Sequence, residues 1–80
     1  MKLPIIVKEN DCGDINVFAT IEEAEAYMEP VDVENGEYTV TDADDQLLEV
    51  RVIIEEIPLF LGFWKRRVEK TRIMGSATGP

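Results

Sequence analysis

Two stretches decide the fold, TIEEAEAYMEP at residues 20–30 and EYTVTDADDQLLEVRVII at residues 37–54. Thr20 and Glu23 have the spacing of a capping box, in which each side chain accepts a hydrogen bond from the backbone N–H of the other residue. Apolar residues recur at helical spacing after this cap. Pro30 ends the helix because it disfavours the α conformation of the preceding residue and lacks an N–H donor. The pattern predicts one short helix over residues 20–29.

Alternating residues on either side of a polar turn predict a β-hairpin over residues 37–54. The turn comprises residues 42–46, which are rich in aspartate. Tyr38 and Val40 share one face of the first strand. We expect the helix to pack on one face of the second strand, which carries Leu48, Val50, Val52 and Ile54.

The N-terminal part of the chain predicts another hairpin. Residues 3–7 and 15–18 are apolar and β-branched, and a loop containing Gly13 joins them. Pro4 near the start of the first strand favours an edge position, because proline cannot donate to a ladder.

A bulky apolar stripe follows the Ile57–Pro58 dipeptide, which breaks the second hairpin. Its spacing predicts a C-terminal helix. One interpretation is that this helix covers the open side of the core. The other is self-association, since Phe, Trp and Arg are enriched at interfaces. The residues assigned to that interface are Phe60, Phe63, Trp64 and Arg67.

Together these elements predict an α+β domain in the order β-β-α-β-β-α. A small antiparallel sheet carries one helix packed on a face, and a C-terminal helix follows. The domain spans residues 1–72, and residues 73–80 form a flexible tail. A chain of 80 residues makes one small domain.

Charge is unevenly distributed along the chain, whose formal net charge is −9. Residues 1–64 carry three basic and 16 acidic residues, whereas residues 65–80 carry five basic residues and one acidic residue. The overall charge argues against nucleic-acid binding, which requires lysine and arginine for phosphate contacts. We expect the basic segment to dock on the acidic part. The alternative is a separate contact surface for a partner or an anionic membrane.

Residue types limit the chemistry. The chain has no histidine and a single cysteine, Cys12. Zinc sites of the usual Cys/His kind and Cys–His nucleophiles are therefore excluded, and no disulfide framework exists. We expect neither enzymatic activity nor a cofactor. No signal peptide is recognised and no apolar run is long enough to cross a bilayer, so we expect a cytoplasmic location without an integral membrane segment.

An acidic loop invites comparison with a calcium site. Asp42 and Asp44 match the first and third ligand positions of an EF-hand loop, and Asp45 adds a third carboxylate. The match fails at the sixth position, which is Leu47, and at the twelfth, which is Ile53. A turn between strands explains the loop better, and weak calcium binding stays an open alternative.

The predicted helix and the residues after it present an acidic face. Structural need explains part of this charge, because the helix dipole favours acids in the first turn. The face is either simply solvated or binds a basic partner. The candidate partner-binding residues are Glu22, Glu25, Glu29 and Asp32.

Several runs resemble a group of small uncharacterised bacterial proteins. These runs are INVF at residues 15–18, IEEAEAYMEPVDV at residues 21–33, GEY at residues 36–38 and DA at residues 42–43. The resemblance covers roughly residues 15–50 and contains no catalytic motif. Some of that group resemble immunity proteins of bacterial toxin systems. The resemblance implies a small cytosolic inhibitor that masks a basic toxin or nuclease domain. A homo-oligomeric assembly protein, for example a homodimer, is the alternative.

Overall fold

The computed structural model describes residues 1–58 and 65–76. It confirms an α+β fold with antiparallel strands. The predicted order is correct as far as the first helix, after which a second helix and three strands follow. The elements are β1 (Ile5–Glu9), β2 (Ile15–Phe18), α1 (Ile21–Tyr27), α2 (Pro30–Glu34), β3 (Tyr38–Thr41), β4 (Leu48–Pro58) and β5 (Lys65–Ser76).

The first three strands form one antiparallel sheet in the order β2-β1-β3. The N-terminal hairpin is confirmed, with Ile5 opposite Phe18 and Lys8 opposite Ile15. The edge position predicted for the first strand is wrong, because β1 lies in the centre. Pro4 precedes the first paired residue, so its missing N–H removes no hydrogen bond from either ladder.

The predicted hairpin over residues 37–54 is also wrong. β3 pairs with β1, and it meets β4 at one isolated bridge between Thr41 and Leu47. Val7 lies opposite Val40 in the β1–β3 pair, and both are buried. β4 has 11 residues and pairs along its length with the 12 residues of β5. β3 has four residues, so it cannot pair with the backbone groups along the whole length of β4.

The first helix is confirmed over Ile21–Tyr27, with the Thr20 half of the predicted capping box. The Thr20 side chain accepts from the backbone N–H of Glu23 at 3.1 Å. α1 ends at Tyr27, two residues earlier than predicted, because Met28 is already extended. Pro30 begins α2, where proline at the first helical position is favoured.

A glycine motif ends α2. Gly36 has a φ of +71°. Its N–H donates to the carbonyl of Val33 at 3.1 Å, and the next N–H, of Glu37, donates to the carbonyl of Asp32 at 3.0 Å. This pair of bonds is a Schellman motif, which satisfies carbonyls that the helix end leaves without partners.

The predicted C-terminal helix is wrong where the structure describes it, because Lys65–Ser76 is strand β5. The strand also corrects the domain limit at residue 72 and the tail at residues 73–80, since Ile73 is buried and pairs with Val50. Cross-strand pairing here overrides the local helical spacing. Residues 59–64 and 77–80 lie outside the described part of the chain.

One core joins both sheets through the helices. α1 contacts β1, β2 and β5, while α2 contacts β4 and β5. The basic segment therefore docks on the rest of the fold, as expected for residues 65–76. The buried apolar residues of this core are Ile5, Val7, Ala24, Met28, Val40, Leu48 and Ile73.

Two isoleucines in the N-terminal hairpin test this assignment. Ile5 is fully buried and Ile15 is 64% exposed. Ile5→Ala should lower the free energy of unfolding by about 2–5 kcal/mol, because it leaves a cavity in the core. Ile15→Ala should change it by no more than about 0.5 kcal/mol. Urea titration of dilute protein measures both values, and equal effects would contradict the described core.

Candidate functional site

The four acids predicted to bind a partner do not form one free surface. Glu22 and Glu29 are exposed on the helical layer. Glu25 is half-buried, and its Oε2 accepts from the backbone N–H of Ile73 at 2.8 Å. Glu25 therefore holds β5 on α1.

Asp32 lies on α2 and belongs to a different group of side chains. It is half-buried, and its Oδ2 accepts from the hydroxyl of Tyr38 at 3.3 Å. The neighbouring loops bring further carboxylates to this end of the molecule.

Asn10 joins the β1–β2 loop to the α2–β3 loop. Its backbone N–H donates to the carbonyl of Glu37 at 2.8 Å, and its side-chain amide donates to the carbonyl of Gly36 at 3.0 Å. Its Oδ1 accepts from the hydroxyl of Thr39 at 2.7 Å. One asparagine thus fixes the position of two acidic loops relative to each other.

Carboxylates in these two loops, at the end of β1 and on α2 form a group that we call the acidic pole. The chain has no lysine or arginine between Lys8 and Arg51, so Lys8, next to Glu9, is the one basic residue adjacent in sequence to a member of the pole. The pole consists of Glu9, Asp11, Asp14, Asp32 and Glu37.

The pKa of Glu37 reflects how closely other carboxylates approach it. A hydrogen bond with the Asp32 carboxyl, together with its negative charge, raises the pKa of Glu37 above the ordinary value. Partial burial and the charge of Asp11 act in the same direction. Contact with Asp32 therefore disfavours ionisation of Glu37, and the charge of Asp11 adds to this effect.

Aromatic rings lie beside the acidic pole. Tyr27 has its ring centroid 5.1 Å from that of Phe18 and 6.4 Å from that of Tyr38. Desolvation, followed by a hydrogen bond with Glu9 and its charge, raises the pKa of the Tyr27 hydroxyl. Tyr27 is 38% exposed, so the pole presents an aromatic surface as well as carboxylates.

Cys12 lies at the same loop and is exposed. Its sulfur and one carboxylate oxygen each of Glu9 and Asp14 lie within 4.8 Å of one another. A backbone hydrogen bond at Asp14 lowers the pKa of Cys12. Desolvation and the charges of Asp14 and Asp11 outweigh it, and the pKa is raised. A raised pKa disfavours the thiolate, so this thiol is not activated as a nucleophile.

Asp42 of the predicted acidic loop has a structural role. It is 1% exposed. Its Oδ1 accepts from the N–H groups of Asp44 and Gln46, at 2.9 and 3.0 Å, and its Oδ2 accepts from the N–H of Lys2 at 3.2 Å. Asp42 thus closes the β3–β4 turn and holds the N-terminus, which confirms the turn interpretation.

The ion pairs that the structure describes lie on the β4–β5 hairpin. Arg51 contacts Glu49 at 2.7 Å, and Lys70 contacts Glu55 at 3.0 Å. Of the residues predicted for self-association, Arg67 is exposed on β5. The other three, Phe60, Phe63 and Trp64, lie outside the described residues.

The sequence alone predicted one member of the acidic pole, Asp32. It missed the other four because they come from loops whose association depends on the β1–β3 pairing. The absence of basic residues from residue 9 to residue 50 was a sequence signal for an acidic surface. It does not indicate which acidic residues lie close together.

Comparison with protein-family models, curated proteins and solved structures gives no match. Neither α1 nor α2, the helices in the described part of the chain, is long and apolar enough to cross a membrane.

Replacing Glu25 tests its structural role. Glu25→Ala should lower the free energy of unfolding by about 1–3 kcal/mol, because the N–H of the buried Ile73 loses its partner. Glu29→Ala is the matched control, since Glu29 is exposed and makes no side-chain capping bond. It should cost no more than about 0.5 kcal/mol. Denaturant titration measures both. Full protection of the Ile73 amide from hydrogen exchange in Glu25→Ala would contradict the assigned bond.

Asp42 predicts a specific dependence of stability on pH. Hydrogen bonds from the backbone, the strongest from Gln46, hold the pKa of Asp42 below its ordinary value of 3.8. The stabilisation is therefore present above pH 3.8 and is lost as the pH falls through the folded-state pKa. Asp42→Asn should be less stable than wild type at neutral pH, because the amide presents N–H₂ to a backbone donor.

Thermal unfolding of both proteins from pH 7 to pH 2 measures the effect. The difference between them should narrow below pH 3.8. If the difference in thermal stability between wild type and Asp42→Asn stays constant from pH 7 to pH 2, the charge of Asp42 does not contribute to the stability of the fold.

Proposed function

We propose that this chain is a non-enzymatic protein-binding module whose acidic pole contacts a basic surface of a partner. The supporting observation is that Asp32 and Asp11 approach Glu37 closely enough to raise its pKa, while carboxylate oxygens of Glu9 and Asp14 lie within 4.8 Å of each other in the same group. A basic partner relieves this repulsion, and the complementary charges increase the rate of association.

The exposed aromatic surface favours a protein over a small cation. Tyr27 combines a large apolar ring with a polar hydroxyl, and tyrosine is enriched where proteins meet. Carboxylates repel phosphate groups, so the pole does not suit nucleic acid. A basic side chain of the partner can contact both the carboxylates and the ring of Tyr27.

The finer proposal is an immunity-like inhibitor that masks the basic active site of a toxin or nuclease domain. Such a site is positively charged because it binds phosphate. A rigid acidic surface that covers it both excludes the substrate and gains electrostatic energy. The acidic pole offers this charge on two loops held together by Asn10.

Two double variants test which acids bind the partner. The pole variant is Asp14→Lys with Glu37→Lys, and the helical variant is Glu22→Lys with Glu29→Lys. Both change the formal net charge from −9 to −5. A partner captured from bacterial lysate by wild type, then purified, is titrated against all three proteins by calorimetry at low and high salt.

We expect the pole variant to bind at least about tenfold more weakly, because a close interfacial charge pair contributes about 1.5 kcal/mol or more. The helical variant should bind like wild type, and high salt should weaken wild-type binding. Loss of binding in the helical variant alone would assign the site to the originally predicted face. Unchanged affinity in both variants would refute the acidic contact.

A further inference from the structure

Among the strands that the structure describes, none pairs with the outer edge of β2. The backbone N–H of Glu9, at the end of β1, donates to the carbonyl of Asp14 on the β2 side at 2.9 Å. The backbone N–H of the next residue, Asn10, donates to the carbonyl of Glu37 on the β3 side at 2.8 Å. Backbone groups alternate in direction along an antiparallel strand. The register therefore directs the N–H and C=O groups of Ile15 and Val17 away from β1, toward the edge.

The side chains at this edge are apolar and exposed. Ile15 is 64% and Val17 is 61% exposed. β2 has the sequence INVF, which contains none of the lysine or proline residues that commonly protect an edge strand from pairing. Its shortness, four residues, limits the area that a partner strand can cover.

The outer face of the three-stranded sheet lacks carboxylates. Ile5 and Val7 point into the core, so the alternate residues of β1 face outward. The six outward residues of the three strands are Ile6, Lys8, Ile15, Val17, Thr39 and Thr41. In a chain with a net charge of −9, this face allows a second copy to approach without opposing acids.

We propose that two copies of the chain pair antiparallel through β2 to form a continuous six-stranded sheet. Edge groups must face each other, so Ile15 of each copy lies opposite Val17 of the other, and the two-fold axis passes between the two Asn16 residues. One row of outward side chains then runs from Thr39 through Lys8 and Ile15 to Val17, Ile6 and Thr41 of the second copy.

This arrangement is self-complementary. Each row has apolar residues at its centre and a lysine toward one end, and the two-fold axis places the lysines at opposite ends. A contact between strands of four residues buries less than the roughly 800 Å² per partner of a standard interface. The dimer is therefore weak and depends on concentration. In this register Asp14, a member of the acidic pole, lies opposite Phe18 of the second copy, at the margin of the contact.

Sedimentation at increasing protein concentration tests the dimer. Val17→Lys should raise its dissociation constant about tenfold or more, because each dimer loses two apolar cross-strand contacts with Ile15 and gains two like charges close to the two-fold axis. Val31→Lys is the control: Val31 is 55% exposed on α2, and the charge change is the same. Added salt should strengthen the dimer by screening repulsion between the acidic copies, opposite to its effect on a basic partner.

Cysteine cross-linking tests the register without relying on Val17→Lys. In a Cys12→Ser background, Asn16→Cys places two thiols across the two-fold axis, at a Cα separation of about 4.5 Å, which a disulfide can span. Ile15→Cys places them diagonally, at about 7–8 Å, which is too far. Mild oxidation should therefore give a covalent dimer with Asn16→Cys and much less with Ile15→Cys.

Three outcomes would overturn the proposal. They are a monomer at about 1 mM protein, a dimer equally sensitive to Val17→Lys and Val31→Lys, and equal cross-linking at both cysteine positions. Circular dichroism of each variant separates loss of pairing from loss of folding.

Discussion

Two hydrogen bonds between α1 and β5 hold the C-terminal hairpin on the rest of the molecule. The Thr71 hydroxyl donates to the carbonyl of Met28 at 2.8 Å, and the Glu25 carboxylate accepts from the N–H of Ile73 at 2.8 Å. An isolated two-stranded hairpin is marginally stable in water. The β4–β5 pair therefore depends on these bonds and on the burial of Leu48 and Ile73 in the common core.

The carboxylates of this acidic chain fall into two groups, those that stabilise the fold and those of the acidic pole. Glu25 and Asp42 are hydrogen-bonded to backbone N–H groups, so these carboxylates serve the fold. In the acidic pole, Asp11 accepts from the backbone N–H of Cys12 and Asp32 accepts from the Tyr38 hydroxyl, and both raise the pKa of Glu37. Concentrating negative charge at one end opposes folding through repulsion.

Local sequence signals predicted the elements that depend on neighbouring residues. The Thr20 cap and the first hairpin are correct, because a hydroxyl acceptor and a short glycine-containing loop act within a few residues. The second helix was missed although its signals are equally local. Proline at its first position and Gly36 after its end mark both limits.

Non-local pairing decided the rest of the fold and the site. The spacing of apolar residues after Pro58 suited a helix, but a long β4 needs a long partner, and β5 supplies it. The pairing of β3 with β1 instead of β4 brought Asn10 to Gly36 and so assembled the acidic pole. Four of the five acids of the pole could not be predicted, since their proximity follows from this pairing.

The sequence by itself determined the α+β class, the capped first helix, the N-terminal hairpin and an excess of acids. These properties depend on composition and on interactions within a few residues. The tertiary structure decided which strands pair, which acids serve the fold and which converge. The reason is physical: burial of Val7 against Val40, and of Ile73 beside Met28, joins segments far apart in the chain, and no local pattern encodes that choice.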